Sequence, residues 1–549
     1  MRYGQCKKPI SFMVLLIFMV TSFGLTGCTA EPQEEEKQIS FAYTLTDQEV
    51  ADTLASIAQL ETYIDEGKNR KILSAFEEMD EKTDYITHQY VSAEIGYYSD
   101  LDDDTAYANY VEAEDIYMDM REECVRVMRK LYDSDLSAKN KIFADWTKQQ
   151  LKDLETANKD VIALERRQNE LLREYLELED PESKAWSEAV EDIYYDHVAI
   201  GQQLAAYYGH DNFYDYLAAE IYMREYTESQ REAFRKNVKE QILPFYLEVA
   251  ARYDEKRDAL TQEQKDQLKA LRKDACLADN VYLTGYIDSY PEEMRTIMHN
   301  LFDREAAVYT QADSAHVVAF TNYSEYYDQP YVFYGNNAQD LLTVVHELGH
   351  YASFYHFTDA TLPYDTCEVH SQANEWLMLH YLNGEIDPDV YEAFLLWRLD
   401  YGLSTIVTCT VVDEFEELVY RQNALHSPEE FRAILYRVLD EYETIDGVMD
   451  YEDFYIYTQY VTMESPVYYL SYATSELVSM LFYTIAEEQG YEDAQEIYIN
   501  LCLETPIGEV FFDTLMDVGL PNPFEPDTVR EIIHAYDALC EETAWEQAA

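Results

Sequence analysis

His346, Glu347 and His350, inside the string TVVHELGH, are the side chains of this sequence best spaced for chemistry. On a helix, residues four apart lie one turn up the same face, so the two imidazoles converge and Glu347 stands beside them. Two neutral histidine nitrogens and one carboxylate make a set that binds zinc and leaves a fourth position open for water. Zinc brings the pKa of such a water to about 7, where an adjacent glutamate can take its proton as it attacks a carbonyl. Such a site, with one Zn2+ per chain, needs a third protein ligand. Glu368 is the candidate: in the run EVHSQANE, Glu368, Ser371, Gln372 and Glu375 share one helical face. Ligating histidines usually donate their other ring nitrogen to a carboxylate or carbonyl, so Glu375 or a neighbour could orient His346 or His350. Asp359 and Asp365 lie nearer in sequence and stand as rival ligands. His356, on another face of the first helix, and His370, off the ligand face of the second, read as structural or rim histidines.

The surrounding pattern predicts what must hold these groups. From about residue 40 to 272 it is helical nearly throughout, with apolar residues three and four apart over 40–64, 68–98 and 105–132, and one long charged helix over 139–178. Pro181 breaks the pattern, a helix restarts near Ser183, and Thr227 is a helix N-cap. Residues 316–320 and 330–334, rich in Val, Phe and Tyr and bounded by polar turns, are the strand candidates. An edge strand beside a metal site can hold a peptide by backbone pairing; a structural hairpin is the equal alternative. From Asp340, placed to cap the first turn, the chain returns to helix almost to its end. The expected fold class is mainly α, two helical halves around a deep cleft with a small hairpin or sheet beside the histidine helix. Residues 41–300 form the N-terminal helical region and 301–549 the catalytic region.

The N-terminus is sequence of another kind. Arg2, Lys7 and Lys8 precede an almost wholly apolar stretch over 10–23, followed by Leu25-Thr26-Gly27-Cys28. That stretch is short for a bilayer span, and it reads as a lipoprotein signal over 1–27, with cleavage before a lipid-modified Cys28 and a solvated tether over 28–40. The expected location is outside the cytoplasm on a bacterial membrane. A formal charge of −68, with no cluster of Lys and Arg, argues against nucleic acid as a partner. Six further cysteines are scattered without a C-x-x-C pair, so a cysteine zinc site is not expected and buried free thiols are the default.

With these residues in view, the chain resembles the zinc oligopeptidases of the oligoendopeptidase F and thimet oligopeptidase family. They carry the His-Glu-x-x-His motif followed by a Glu-x-x-Ser-x-x-x-Glu segment, and their helical N-terminal region has a Gly-x-x-Asn-x-x-x-Tyr passage like the GHDNFYDY of this chain. The resemblance implies His346, His350 and Glu368 as zinc ligands, Glu347 as general base, and short peptides as substrates. The stretch ESPVYYLSYATSELVSMLFY resembles the family's C-terminal substrate segment, whose tyrosines donate to the oxyanion. Tyr469 and Tyr472 are three apart and could point the same way; Tyr468 and Tyr472, four apart, are nearly as good. The chain departs from the family in a shorter step of 22 positions from His346 to Glu368 and in having no histidine between His426 and His534. The alternatives are a zinc carboxypeptidase or dipeptidyl-carboxypeptidase on a related fold, and a peptide-capturing surface lipoprotein with weakened catalysis.

Overall fold

The computed structural model describes residues 39–546, apart from 145, 147, 179–183, 274–279, 311, 313, 316–318, 336–339, 356–361, 422–426, 443–450 and 507. Cys28 and the signal segment, Cys276, His356 and Asp359 lie outside the described residues.

The architecture is mainly α with one small sheet, as the periodicity predicts. Of the first three helices, Asn69–Ser99 and Asp104–Tyr132 follow the expected boundaries within a residue or two, but Asp47–Asp65 starts seven residues later than the expected residue 40, because Thr46 caps it with a reciprocal Glu49 capping box. The long charged helix expected over 139–178 is instead three: Lys139–Ile142, Lys148–Thr156 and Lys159–Leu176. Asn158 causes the last break, because its side-chain oxygen accepts from the amides of Asp160 and Val161 and starts a new helix. A helix resumes over Lys184–Tyr208, and Thr227 caps Glu228–Asn237 with a reciprocal Gln230 capping box.

The sheet has three strands, β1 (Ala307–Tyr309), β2 (Ala319–Ser324) and β3 (Gln329–Tyr334), in the order β1-β3-β2. β3 is buried along its whole length and pairs parallel to β1 and antiparallel to β2, with Thr321 opposite Val332. β3 matches its expected limits. Of the strand expected over 316–320, residues 316–318 lie outside the described residues; β2 holds Ala319 and Phe320 and runs on to Ser324, because Thr321, Asn322 and Tyr323 are only half-buried and polar residues suit an edge. β1 carried no strand signal in so short a run.

The histidine helix, Leu341–Phe354, opens at Asp340, whose carboxylate accepts from the amides of Leu342 and Thr343 at 3.2 Å each. The glutamate helix, Tyr364–Tyr381, packs between the histidine helix and the tyrosine helix, Leu470–Glu488. The first contact is close because of Gly349: a Cβ there would strike the backbone of His370 and Ser371. The long helix Pro388–Arg421 backs the tyrosine helix. Among the described residues the main hydrophobic core draws on residues from Ile39 to Tyr536, with Phe354, Leu362 and Cys367 forming a small separate cluster. Cys124, Cys367, Cys409 and Cys502 are buried and take part in no disulfide among the described residues. No helix of the described residues is long and apolar enough to cross a membrane.

One buried group works against this packing. Glu94 is 3 % exposed, its Oε2 meets no hydrogen-bond partner among the described residues, and burial pushes its pKa up to about 8 from an ordinary 4.5. The native state therefore keeps a proton that the unfolded chain releases, and stability from this group falls as pH rises from about 4.5 to about 8. Glu94→Gln should match the parent chain at acid pH and exceed it by up to about 5 kcal/mol above pH 8. Urea midpoints at the two pH values measure the difference, and a gap that does not widen with pH contradicts it.

Candidate metal centre

The histidine helix brings His346 and His350 to one point, with ring centroids 5.0 Å apart. The glutamate helix brings Glu368 to the same point: its Oε2 lies 3.5 Å from His346 Nε2 and 3.6 Å from His350 Nε2. All three side chains are withdrawn from solvent, with His350 the most accessible at 11 %. Ligands about 2.0–2.1 Å from a tetrahedral zinc stand roughly 3.3–3.4 Å apart, so these separations fit such an ion. The donor set fits as well. His346 Nδ1 is 2.8 Å from Glu375 Oε1, which makes Nδ1 the donor and turns Nε2 toward Glu368. His350 Nδ1 meets no hydrogen-bond partner among the described residues.

The electrostatics call for positive charge at this point. Burial pushes His346 down, but the hydrogen bond to Glu375 and the carboxylates of Glu375, Glu368 and Glu347 outweigh it and hold its pKa up to about 9. His350 has no carboxylate bonded to its far nitrogen, and burial drives it well down. Glu368 is raised by burial, against the pull of His346, Tyr468 and Ser371. Ser371 Oγ lies 3.0 Å from Glu368 Oε2, so it supports the ligand carboxylate.

Glu347 is 2 % exposed, and Thr321 of β2 donates to its Oε2 at 2.7 Å. Burial lifts its pKa to about 7 against the lowering effect of His346 and Thr321. A carboxylate poised near neutrality can accept a proton and give it up again. Thr321 was not singled out by sequence, because only strand register places it over the histidine helix.

Glu375 is itself held. Its Oε2 is 3.0 Å from Arg398 Nε, and Arg398 makes a two-pronged pair with Glu476 at 2.7 and 2.9 Å. Trp376 Nε1 donates to Glu476 at 3.1 Å. The buried chain His346–Glu375–Arg398–Glu476 thus spans four helical positions, and a Cβ on Gly402 would collide with Glu476. Arg398 and Glu476 lay hidden in helix sequence with no local signal.

The remaining candidates separate. Asp365 is turned away from the histidines: it sits 3.4 Å from Arg224 Nε and accepts from Ser471 Oγ at 3.2 Å. His370 faces the Leu501 carbonyl at 3.2 Å, and burial holds its pKa down to about 4. Of the tyrosines, Tyr468 donates to Glu368 Oε1. Tyr472 packs on Tyr468 at 5.0 Å between ring centroids, and its phenol is raised by burial and by the charges of Glu368 and Glu347. Tyr469 stands next to both, 5.7 Å from Tyr472, but its phenol is raised by burial and by Tyr457 and Cys409 rather than by the site carboxylates. The structure therefore brings Tyr468 and Tyr472 to the ligands, with Tyr469 one layer out.

No family model and no curated protein matches the sequence. Solved structures do match in shape. PZ peptidase A with an inhibitor superposes with a TM-score of 0.70 at 18% identity, covering 92% of this chain and 99% of that one. A putative oligoendopeptidase F from Bacillus anthracis gives 0.69 at 18% identity over 92% and 99% of the two chains. Oligoendopeptidase F from Enterococcus faecium gives 0.56 at 14% identity over 91% and 99%. Over nine-tenths of its length, this chain has the oligoendopeptidase F fold.

Proposed function

We propose that the protein is a zinc-dependent oligopeptidase that hydrolyses internal bonds of short peptides outside the cytoplasm. The observation that carries the reading is the convergence of His346, His350 and Glu368 with Glu347 beside them, its carboxylate held by Thr321. Zinc held by those three residues would supply Lewis-acid activation of a water molecule and of the scissile carbonyl. Glu347 takes the proton of the attacking water and passes it to the leaving amine. Tyr472 donates to the developing oxyanion, while Tyr468 steadies Glu368. β2, as an edge strand carrying Thr321, offers backbone groups to an extended peptide next to Glu347. The names of the similar structures, peptidases and oligoendopeptidases, favour the same reading. The apolar stretch before Cys28 supports export and a lipid tether.

The test is bound zinc together with peptide cleavage. The full-length chain should hold about one zinc and cleave quenched-fluorescent peptides at internal bonds, with loss of activity on chelation and recovery on zinc addition. Release of C-terminal units alone would make it a carboxypeptidase, and no cleavage by zinc-loaded chain would leave only peptide capture.

A further inference from the structure

Two strained segments face each other beside the tyrosines. Val467 is a buried β-branched residue at φ 63°, in the left-handed region that such residues rarely enter. Opposite it, Met223 stands at φ 51°, just beyond the π-helical turn Leu217–Ile221. Such backbone persists where its surroundings over-determine it, and both features concentrate at working sites.

The surroundings here are specific. Tyr222 and Arg224, on either side of Met223, both reach the turn that contains Val467. The Tyr222 hydroxyl donates to the Pro466 carbonyl at 2.7 Å. Arg224 Nη1 donates to the Val467 carbonyl at 2.7 Å, and Nη2 to the Tyr468 carbonyl and Ser471 Oγ at 2.8 Å each. From the other side, the Val467 amide donates to Glu416 Oε1 at 2.8 Å. Three successive carbonyls and one amide are thus fixed by three buried side chains. Arg224, whose side chain is 1 % exposed, also has Nε 3.4 Å from Asp365 Oδ2.

What the turn carries is the site's far wall. Tyr468 follows Val467 directly and reaches Glu368, and Tyr472 packs on Tyr468. The tyrosine helix begins only at Leu470, so backbone at 467 sets where Tyr468 points. We propose that Arg224 is a positioning residue: with Tyr222 it holds the 466–468 turn in its left-handed form and so fixes Tyr468 and Tyr472 against Glu368 and Glu347. The use made of the tyrosines presupposes the peptidase reading; the clamp does not. A lysine cannot replace the arginine, because one ammonium does not span two carbonyls, a hydroxyl and a carboxylate in a planar fork.

Fluorine on the Tyr468 ring, introduced as 3-fluorotyrosine in the full-length chain, reads the clamp directly. Arg224→Lys and Arg224→Met should each displace the fluorine resonance, lower kcat on a quenched peptide on the order of 10²-fold, and leave KM within about threefold. Tyr222→Phe, losing one hydroxyl, should move both in the same direction by less, and it decides the matter if the Arg224 variants do not fold. An unmoved resonance in a folded variant overturns the proposal, whatever its melting temperature. A parent chain that cleaves no peptide ends the peptidase reading alone, since the fluorine shift still decides the clamp.

Discussion

Glu347→Gln should lower kcat by about 10³-fold or more while leaving zinc content and fold unchanged. The substitution is nearly isosteric, and the amide oxygen of glutamine can still accept from Thr321 Oγ1, which holds the carboxylate at 2.7 Å. What is lost is proton affinity at one position. In the parent protein, burial raises that carboxylate toward neutrality while His346 and Thr321 lower it, so it accepts a proton without holding it irreversibly. An amide has no such capacity. Because Glu347 faces Thr321 and is not one of the three converging ligand atoms, metal stoichiometry should not change. Initial rates on a quenched peptide, read beside zinc analysis of the same preparation, measure both halves. A variant turning over within threefold of the parent would remove Glu347 from the chemistry.

The parts of this site that could be read from sequence are those built by helical periodicity within one element. His346 and His350 converge because they are four apart on Leu341–Phe354, and Asp340 caps that helix because its short carboxylate meets two free amides. Glu368, Ser371 and Glu375 share a face of Tyr364–Tyr381 for the same reason. The parts that could not be read depend on contacts between elements. Thr321 reaches Glu347 only through the pairing of β2 with β3 and the packing of that sheet on the histidine helix. Arg398 and Glu476 come from two different helices and meet around Glu375 with no spacing to betray them. The tyrosines show why a periodicity argument can mislead. Tyr468 and Tyr469 precede the helix that starts at Leu470, and Val467 at positive φ reorients the chain ahead of them; the four-apart pair Tyr468 and Tyr472 meets at the site while the three-apart Tyr469 stands one layer out, so spacing alone could not choose between them.

Removing Glu368 should separate metal binding from folding. In Glu368→Ala two imidazoles remain, and zinc affinity should fall by more than about 100-fold, beyond the 10–100-fold typical of losing an outer partner. Glu375→Gln supplies that comparison, since Glu375 touches His346 at Nδ1 and not at the converging Nε2. The expected order of affinity is therefore parent, then Glu375→Gln, then Glu368→Ala, measured by competition with a chromophoric chelator. The fold should not follow that order. Glu368 is 1 % exposed and shares its neighbourhood with the carboxylates of Glu347 and Glu375, so without a cation burial of its charge opposes folding. Metal-free Glu368→Ala should melt no lower than the metal-free parent, the pattern expected when a residue is kept for a site at the expense of stability. If Glu368→Ala held zinc with parental affinity, the third ligand would have to be sought elsewhere; if it lost the metal only by unfolding, its melting temperature would show it.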